Sequence, residues 1–243
     1  MKIPFRNRGG KGSYRKTREG IFFDRLPESF LPEEDLPPAV QRVCRATIRI
    51  RGCDEKGYIY QGTGLALGRN ILTALHVVKG VDHFDLMHNG ENIAVRQIAI
   101  DEDMDIALLE SEKLLPSADS VLSEETGLGY DELYSLGYLW VKEGKNTYKE
   151  RLCACKIEGV EILRRVRDGR FFVEIPSMAR DFMPGFSGGM LVDYSGAIRG
   201  MTQGVIKETR WHFGIIRIAR NAYLWGAHSI AIRNFLEQHI GRV

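Results

Sequence analysis

The chain lacks any apolar run of the roughly 20 residues that a helix needs to cross a bilayer, and its start is basic and glycine-rich rather than hydrophobic. Neither a secretory signal nor a membrane span is therefore expected, which makes the cytoplasm the expected location. Cysteine is scarce: Cys44, Cys53, Cys153 and Cys155 are the only four among 243 residues. They form no CxxC pair of zinc-site spacing and no dense disulfide framework. Reduced structural thiols are expected, with a hairpin bridge between Cys44 and Cys53 left open, and no metal or cofactor is expected. The formal net charge is only +2, so there is no global electrostatic pull toward nucleic acid. Internal repeats are also missing.

The charge that is present is unevenly spread. Lys2, Arg6, Arg8, Lys11, Arg15, Lys16 and Arg18 crowd the start, and Asp24, Glu28, Glu33, Glu34 and Asp35 follow among Pro27, Pro32, Pro37 and Pro38. Residues 1–38 thus read as a flexible polar leader. Tyr14 is the only aromatic residue between Arg6 and Arg18, so this tail reads as a tether rather than a nucleic-acid site.

Beyond it the texture is all-β: short stretches rich in Val, Ile, Leu, Tyr and Thr alternate with Gly, Asn and Asp turns. Strands are predicted over 43–51, 58–67, 70–75, 84–87, 93–100 and 106–110, then over 133–138, 151–163, 171–175, 189–192, 198–203 and 212–218. Two six-stranded antiparallel barrels accommodate them, one over 39–112 and one over 127–243, joined by a linker at 113–126. Ile232, Phe235, Leu236 and Ile240 recur at helical spacing and predict a terminal helix over 230–240.

A serine hydroxyl is a poor nucleophile until it has a base, an orienter for that base and donors for an oxyanion. Each part has a candidate. Met183-Pro-Gly-Phe-Ser-Gly-Gly189 places Ser187 in a glycine-rich turn, where the amides of Gly185 and Ser187 are expected to converge as an oxyanion hole. His76 ends the run Thr73-Ala-Leu-His76-Val and supplies an imidazole for general base work. Asp105 stands directly before the apolar run Ile-Ala-Leu-Leu109, where a carboxylate can hold the imidazole tautomer. Taken singly, a Gly-flanked serine is usually a plain turn and a strand-end histidine is usually structural. The three together, in the order His, Asp, Ser within a two-barrel pattern, point to nucleophilic hydrolysis.

These strings resemble those of the trypsin-like, chymotrypsin-fold serine peptidases, most nearly the bacterial HtrA/Deg branch, from about Pro38 to the terminal helix. The resemblance rests on Gly62-Thr-Gly64, Thr73-Ala-Leu-His76-Val, Asp105-Ile-Ala-Leu-Leu109 and Pro184-Gly-Phe-Ser-Gly-Gly189, supported by Leu136-Gly-Tyr138 and by Asp193-Tyr-Ser-Gly196 with Gly200. It implies a serine endopeptidase acting on a protein or peptide. Phe186 departs from the family's Asp or Asn, and Met190 from its proline. No Arg-Ile-Val-Gly-Gly-like activation site is present, and the chain stops after its helix, where many relatives continue into a PDZ domain.

The resemblance also implies a specificity pocket near 202–204 and 225–228. Asp181, six positions before Ser187, is a candidate partner for a basic substrate side chain, and Gln203, Gly204 and His228 are further candidates for substrate binding. A peptide-binding pseudoenzyme and a triad esterase are the competing readings. Nothing in the residue pattern fixes an oligomeric state.

Overall fold

The structure is a computed structural model that describes residues 14–17, 20–26, 28–53, 59–80, 83–88, 91–117, 122–123, 132–145, 147–158, 169–175, 185–212 and 216–241. Three short strands open it: β1 (Tyr14–Thr17), β2 (Gly20–Phe23) and β3 (Phe30–Pro32). A 3-10 turn over Glu33–Asp35 leads into helix α1 (Pro38–Arg45). Here the structure departs from the expected strand beginning at residue 43. Pro38 opens the helix, where its missing N–H costs nothing. Val40, Val43 and Cys44 then fall on one buried face at helical spacing, and Arg42 and Arg45 sit in the last turn, where the helix dipole favours cations.

The first sheet contains β4 (Thr47–Cys53), β5 (Ile59–Leu67) and β6 (Asn70–Ala74), then, after the short helix α2 (Leu75–Val78), β7 (His83–His88), β8 (Glu91–Ile93), β9 (Val95–Asp101) and β10 (Ile106–Ser111). Its order is β8-β7-β4-β5-β6-β10-β9. In β4, Ile48 and Ile50 are fully buried while Arg49 and Arg51 are only partly covered, the period-two signature of a strand with one wet face. The strand predicted over 93–100 is split at Ala94 into β8 and β9, which raises the count from six to seven.

The second sheet contains β11 (Glu132–Lys142), β12 (Tyr148–Glu158), β13 (Arg170–Ile175), β14 (Met190–Asp193), β15 (Ile198–His212) and β16 (Ile216–His228), and helix α3 (Ser229–Ile240) closes the chain. The order runs β1-β2-β11-β14-β15-β16-β13, with β12 pairing both β11 and β3. Three of its nine strands come from the segment that reads as a flexible leader. β2 lies parallel to β11 through Trp140↔Phe22, and β3 lies antiparallel to β12 through Ala154↔Leu31. The apolar residues responsible are Phe23 and Phe30, both buried with Leu133, Phe171 and Phe186 in one core cluster. The two curled, almost wholly antiparallel sheets and the C-terminal helix make the chymotrypsin-like double β-barrel.

Cys44, Cys153 and Cys155 are buried free thiols, so the bridge from Cys44 to Cys53 is not formed. Among the described residues no helix is long and apolar enough to cross a membrane, and no group of His, Cys, Asp and Glu has the arrangement to hold a metal ion.

Candidate active site

His76 lies in α2, immediately after β6, and Asp105 lies just before β10, the strand that pairs with β6. Adjacent strands therefore carry His76 and Asp105 to one end of the first barrel. The Asp105 carboxylate grips the histidine twice: Oδ1 accepts from the backbone N–H of His76 at 2.9 Å and Oδ2 faces Nδ1 at 2.6 Å. The Asp105 carbonyl also accepts from the Leu75 amide at 3.0 Å. An ionised carboxylate only accepts, so Nδ1 carries the proton and Nε2 is left with a free lone pair. The imidazole is 47% exposed and the carboxylate 20%, so the ring is the more open of the two to solvent.

Ser187 belongs to the second barrel, in the turn before β14. The turn is pinned across the cleft by a residue that sequence reasoning passed over. Thr63 of β5 donates its amide to the Ser187 carbonyl at 2.8 Å and its hydroxyl to the Gly185 carbonyl at 2.5 Å. Nothing in Gly62-Thr-Gly64 marks the threonine itself as a contact across the cleft. Gly185 and Gly188 both have positive φ, 96° and 82°. A side chain at Gly188 would also collide with the Thr63 carbonyl and the Thr73 hydroxyl. The turn is thereby pressed against the end of β6, two residues from His76. The amides of Gly185 and Ser187 have no hydrogen-bond acceptor among the described residues.

Phe186, the departure from the family pattern, is fully buried. Its ring fills the space left by the missing side chain of Gly137 in β11 and meets Phe30 edge to face at 5.7 Å. An Asp or Asn cannot be left in that apolar setting without partners, whereas phenylalanine anchors the turn to the second core. Met190 is buried as well and packs in the other core cluster.

The Ser187 hydroxyl donates to the Gln203 carbonyl at 3.3 Å, and among the described residues no hydrogen bond joins it to His76. Such bonds are commonly long before substrate binds. Gln203, 3% exposed, reaches the other way across the cleft: Nε2 donates to the carbonyls of Met104 and Asp105, the latter at 3.1 Å. Its amide nitrogen is thus committed to the acid loop, while Oε1 is buried without a partner among the described residues.

The remaining expected substrate contacts are placed as follows. Gly204 lies against the indole of Trp225, over whose ring the Arg170 guanidinium stands at 5.8 Å. His228 is fully buried and caps α3, its Nδ1 accepting from the Ile230 amide at 3.3 Å. Burial and nearby Arg199 hold its pKa below the ordinary histidine value. Asp181 lies outside the described residues.

Residues 62–201 match the family described as the trypsin-like peptidase domain. Among solved structures the chain is similar to the Rv3671c protease from M. tuberculosis in its active form, at 18% identity over 85% of this chain and 86% of that one, with a TM-score of 0.59. It is also similar to the serine endoprotease from Yersinia pestis, at 19% identity over 84% and 67%, with a TM-score of 0.55. The HtrA-type protease AlgW with a tripeptide gives 18% identity over 84% and 64%, with a TM-score of 0.52. No curated protein matches the chain in sequence.

Proposed function

The chain belongs to the trypsin-like peptidase family, a family of serine endopeptidases, and from that premise we propose that it cleaves a protein or peptide through Ser187, His76 and Asp105. The single observation that carries this reading is the doubly bonded His76–Asp105 pair, facing solvent through its imidazole at the cleft into which Thr63 draws the Ser187 turn.

His76 Nε2 takes the Ser187 proton as Oγ attacks the scissile carbonyl, and the imidazolium that forms is stabilised by Asp105. The same proton then passes to the leaving amine. Water repeats the attack on the acyl-enzyme, with His76 again as base. The amides of Gly185 and Ser187 receive the oxyanion; one such donor is typically worth about 10²–10³ in rate. Gln203 is assigned to positioning: its backbone touches the nucleophile and its side chain fixes the loop that carries the acid. Substrate side chains are received near Gly204 and Trp225, with Asp181 proposed to pair with a basic residue. An intracellular processing or regulatory role is proposed for the enzyme.

A fluorophosphonate probe is expected to label the full chain on Ser187, with labelling lost in Ser187→Ala and reduced by orders of magnitude in His76→Ala. Peptide-library cleavage should accompany labelling. A folded protein that the probe never labels would falsify the catalytic assignment, and one that is labelled yet cuts no peptide would be an esterase.

A further inference from the structure

A cavity of about 950 Å³ opens between the two barrels, lined by β4 and β7 on one side and β11 and β12 on the other. None of His76, Asp105 and Ser187 lines it. The volume is that of sites for small organic ligands. Its walls include the aromatic rings of Trp140 and Tyr148 with Met87 and Leu152.

At its base lies a charged side chain almost wholly withdrawn from water. The Glu150 carboxylate is 5% exposed and accepts from Arg49 and, at 2.6 Å, from Gln61. Arg49 gives one terminal nitrogen to Glu150 and turns the other toward the Met87 sulfur. Its Nε is buried with no acceptor among the described residues. A buried donor without an acceptor is costly, so the Arg49 guanidinium is not fully satisfied by Glu150. The other charged groups of the lining are Arg45 and Lys149, both exposed, and Glu33. Lys149 only grazes Glu143, at 3.9 Å. With Glu150 already taken, cations outnumber the acids left to meet them.

We propose that this cavity binds a small ligand carrying a carboxylate or phosphate on an aromatic stem, and that its occupancy alters the reactivity of Ser187. The anion meets the exposed part of the Arg49 guanidinium with Arg45 and Lys149, while the ring lies along Trp140 and Tyr148. The route to the nucleophile is short. Gln61 donates both to Glu150 and, at 3.2 Å, to the Tyr138 carbonyl. That carbonyl and the Gln61 amide are the atoms packed against Gly185. Any shift of Glu150 is thus felt by the residue whose amide is assigned to the oxyanion.

The binding half stands independently of the peptidase reading, and the effector half rests on it. Phenyl phosphate and phenylacetate serve as probes, titrated by calorimetry into the full chain and into Ser187→Ala. Binding of one per chain at about millimolar or tighter is expected for at least one probe, equally in both proteins. The probe that binds identifies the anion. Arg45→Glu with Lys149→Glu, both at exposed positions, should weaken binding roughly tenfold or more. No binding of either probe, or binding indifferent to the double substitution, overturns the site. The fluorophosphonate labelling rate of Ser187 should change at least about twofold at saturation, with the change lost in Gln61→Leu. Binding with an unchanged labelling rate overturns the effector role and leaves a binding site.

Discussion

Asp105 has a φ of 53°, the only left-handed non-glycine backbone among the described residues. Aspartate tolerates that region better than most side chains, and four bonds repay the strain: its carbonyl accepts from Leu75 and Gln203 while its carboxylate holds His76 twice. That Asp105 is the carboxylate beside His76 was legible to the extent that only it directly precedes the apolar run. The twist that aims it was not legible, since it depends on Gln203, 98 residues away along the chain. His228 teaches the opposite lesson. Its place in the expected specificity pocket makes it a candidate for substrate contact, but the next residues begin a helix and the imidazole serves as its cap. Because its folded pKa is depressed, the native state resists a proton that the unfolded chain accepts. Stability is therefore complete above the ordinary histidine pKa of 6.5 and falls as pH drops below it. Thermal unfolding midpoints should decline from pH 7 toward pH 5, and His228→Asn, which keeps a capping acceptor, should flatten that decline.

Among the elements, the turn carrying Ser187 depends on contacts from both sides of the cleft. Thr63 holds its carbonyls from the first barrel, and Phe186 anchors it in the second. Phe186→Ala should lower stability by about 3–5 kcal/mol, the usual range for a buried phenylalanine. It should also slow fluorophosphonate labelling of whatever protein remains folded, measured at a temperature well below its midpoint. Strand positions were legible where a short apolar run stood between turn residues, as in β6 and β10. Boundaries failed where another signal competed. Val43 and Cys44 have strand-like apolar character but continue a helix opened by Pro38, and Asp24 to Asp35 look like solvated leader because acidic residues surround Phe23 and Phe30 and mask them. Two buried aromatic residues are enough to draw this segment into the second sheet.

For the molecule as a whole, the two sheets are not independent bodies. One core cluster runs from Ile48, Leu72 and Leu108 of the first sheet through Leu136, Ala154 and Met201 of the second to Ile232 and Leu236 of α3. Calorimetry should accordingly give one cooperative transition, with equal calorimetric and van't Hoff enthalpies. Two separate melting steps would contradict a shared core. The double-barrel class was readable from the rhythm of strands and turns, whereas a shared core arises from contacts between distant segments that no local window contains.

The pairing of β3 with β12 joins Leu31 to Ala154, and that of β2 with β11 joins Phe22 to Trp140. During synthesis these opening strands leave the ribosome long before their partners exist. The first barrel can assemble while they wait, and these strands are then among the last to find their place. Loop closure over such distances is slow, so refolding from denaturant should end in a late phase in which β2 and β3 gain their protection against hydrogen exchange.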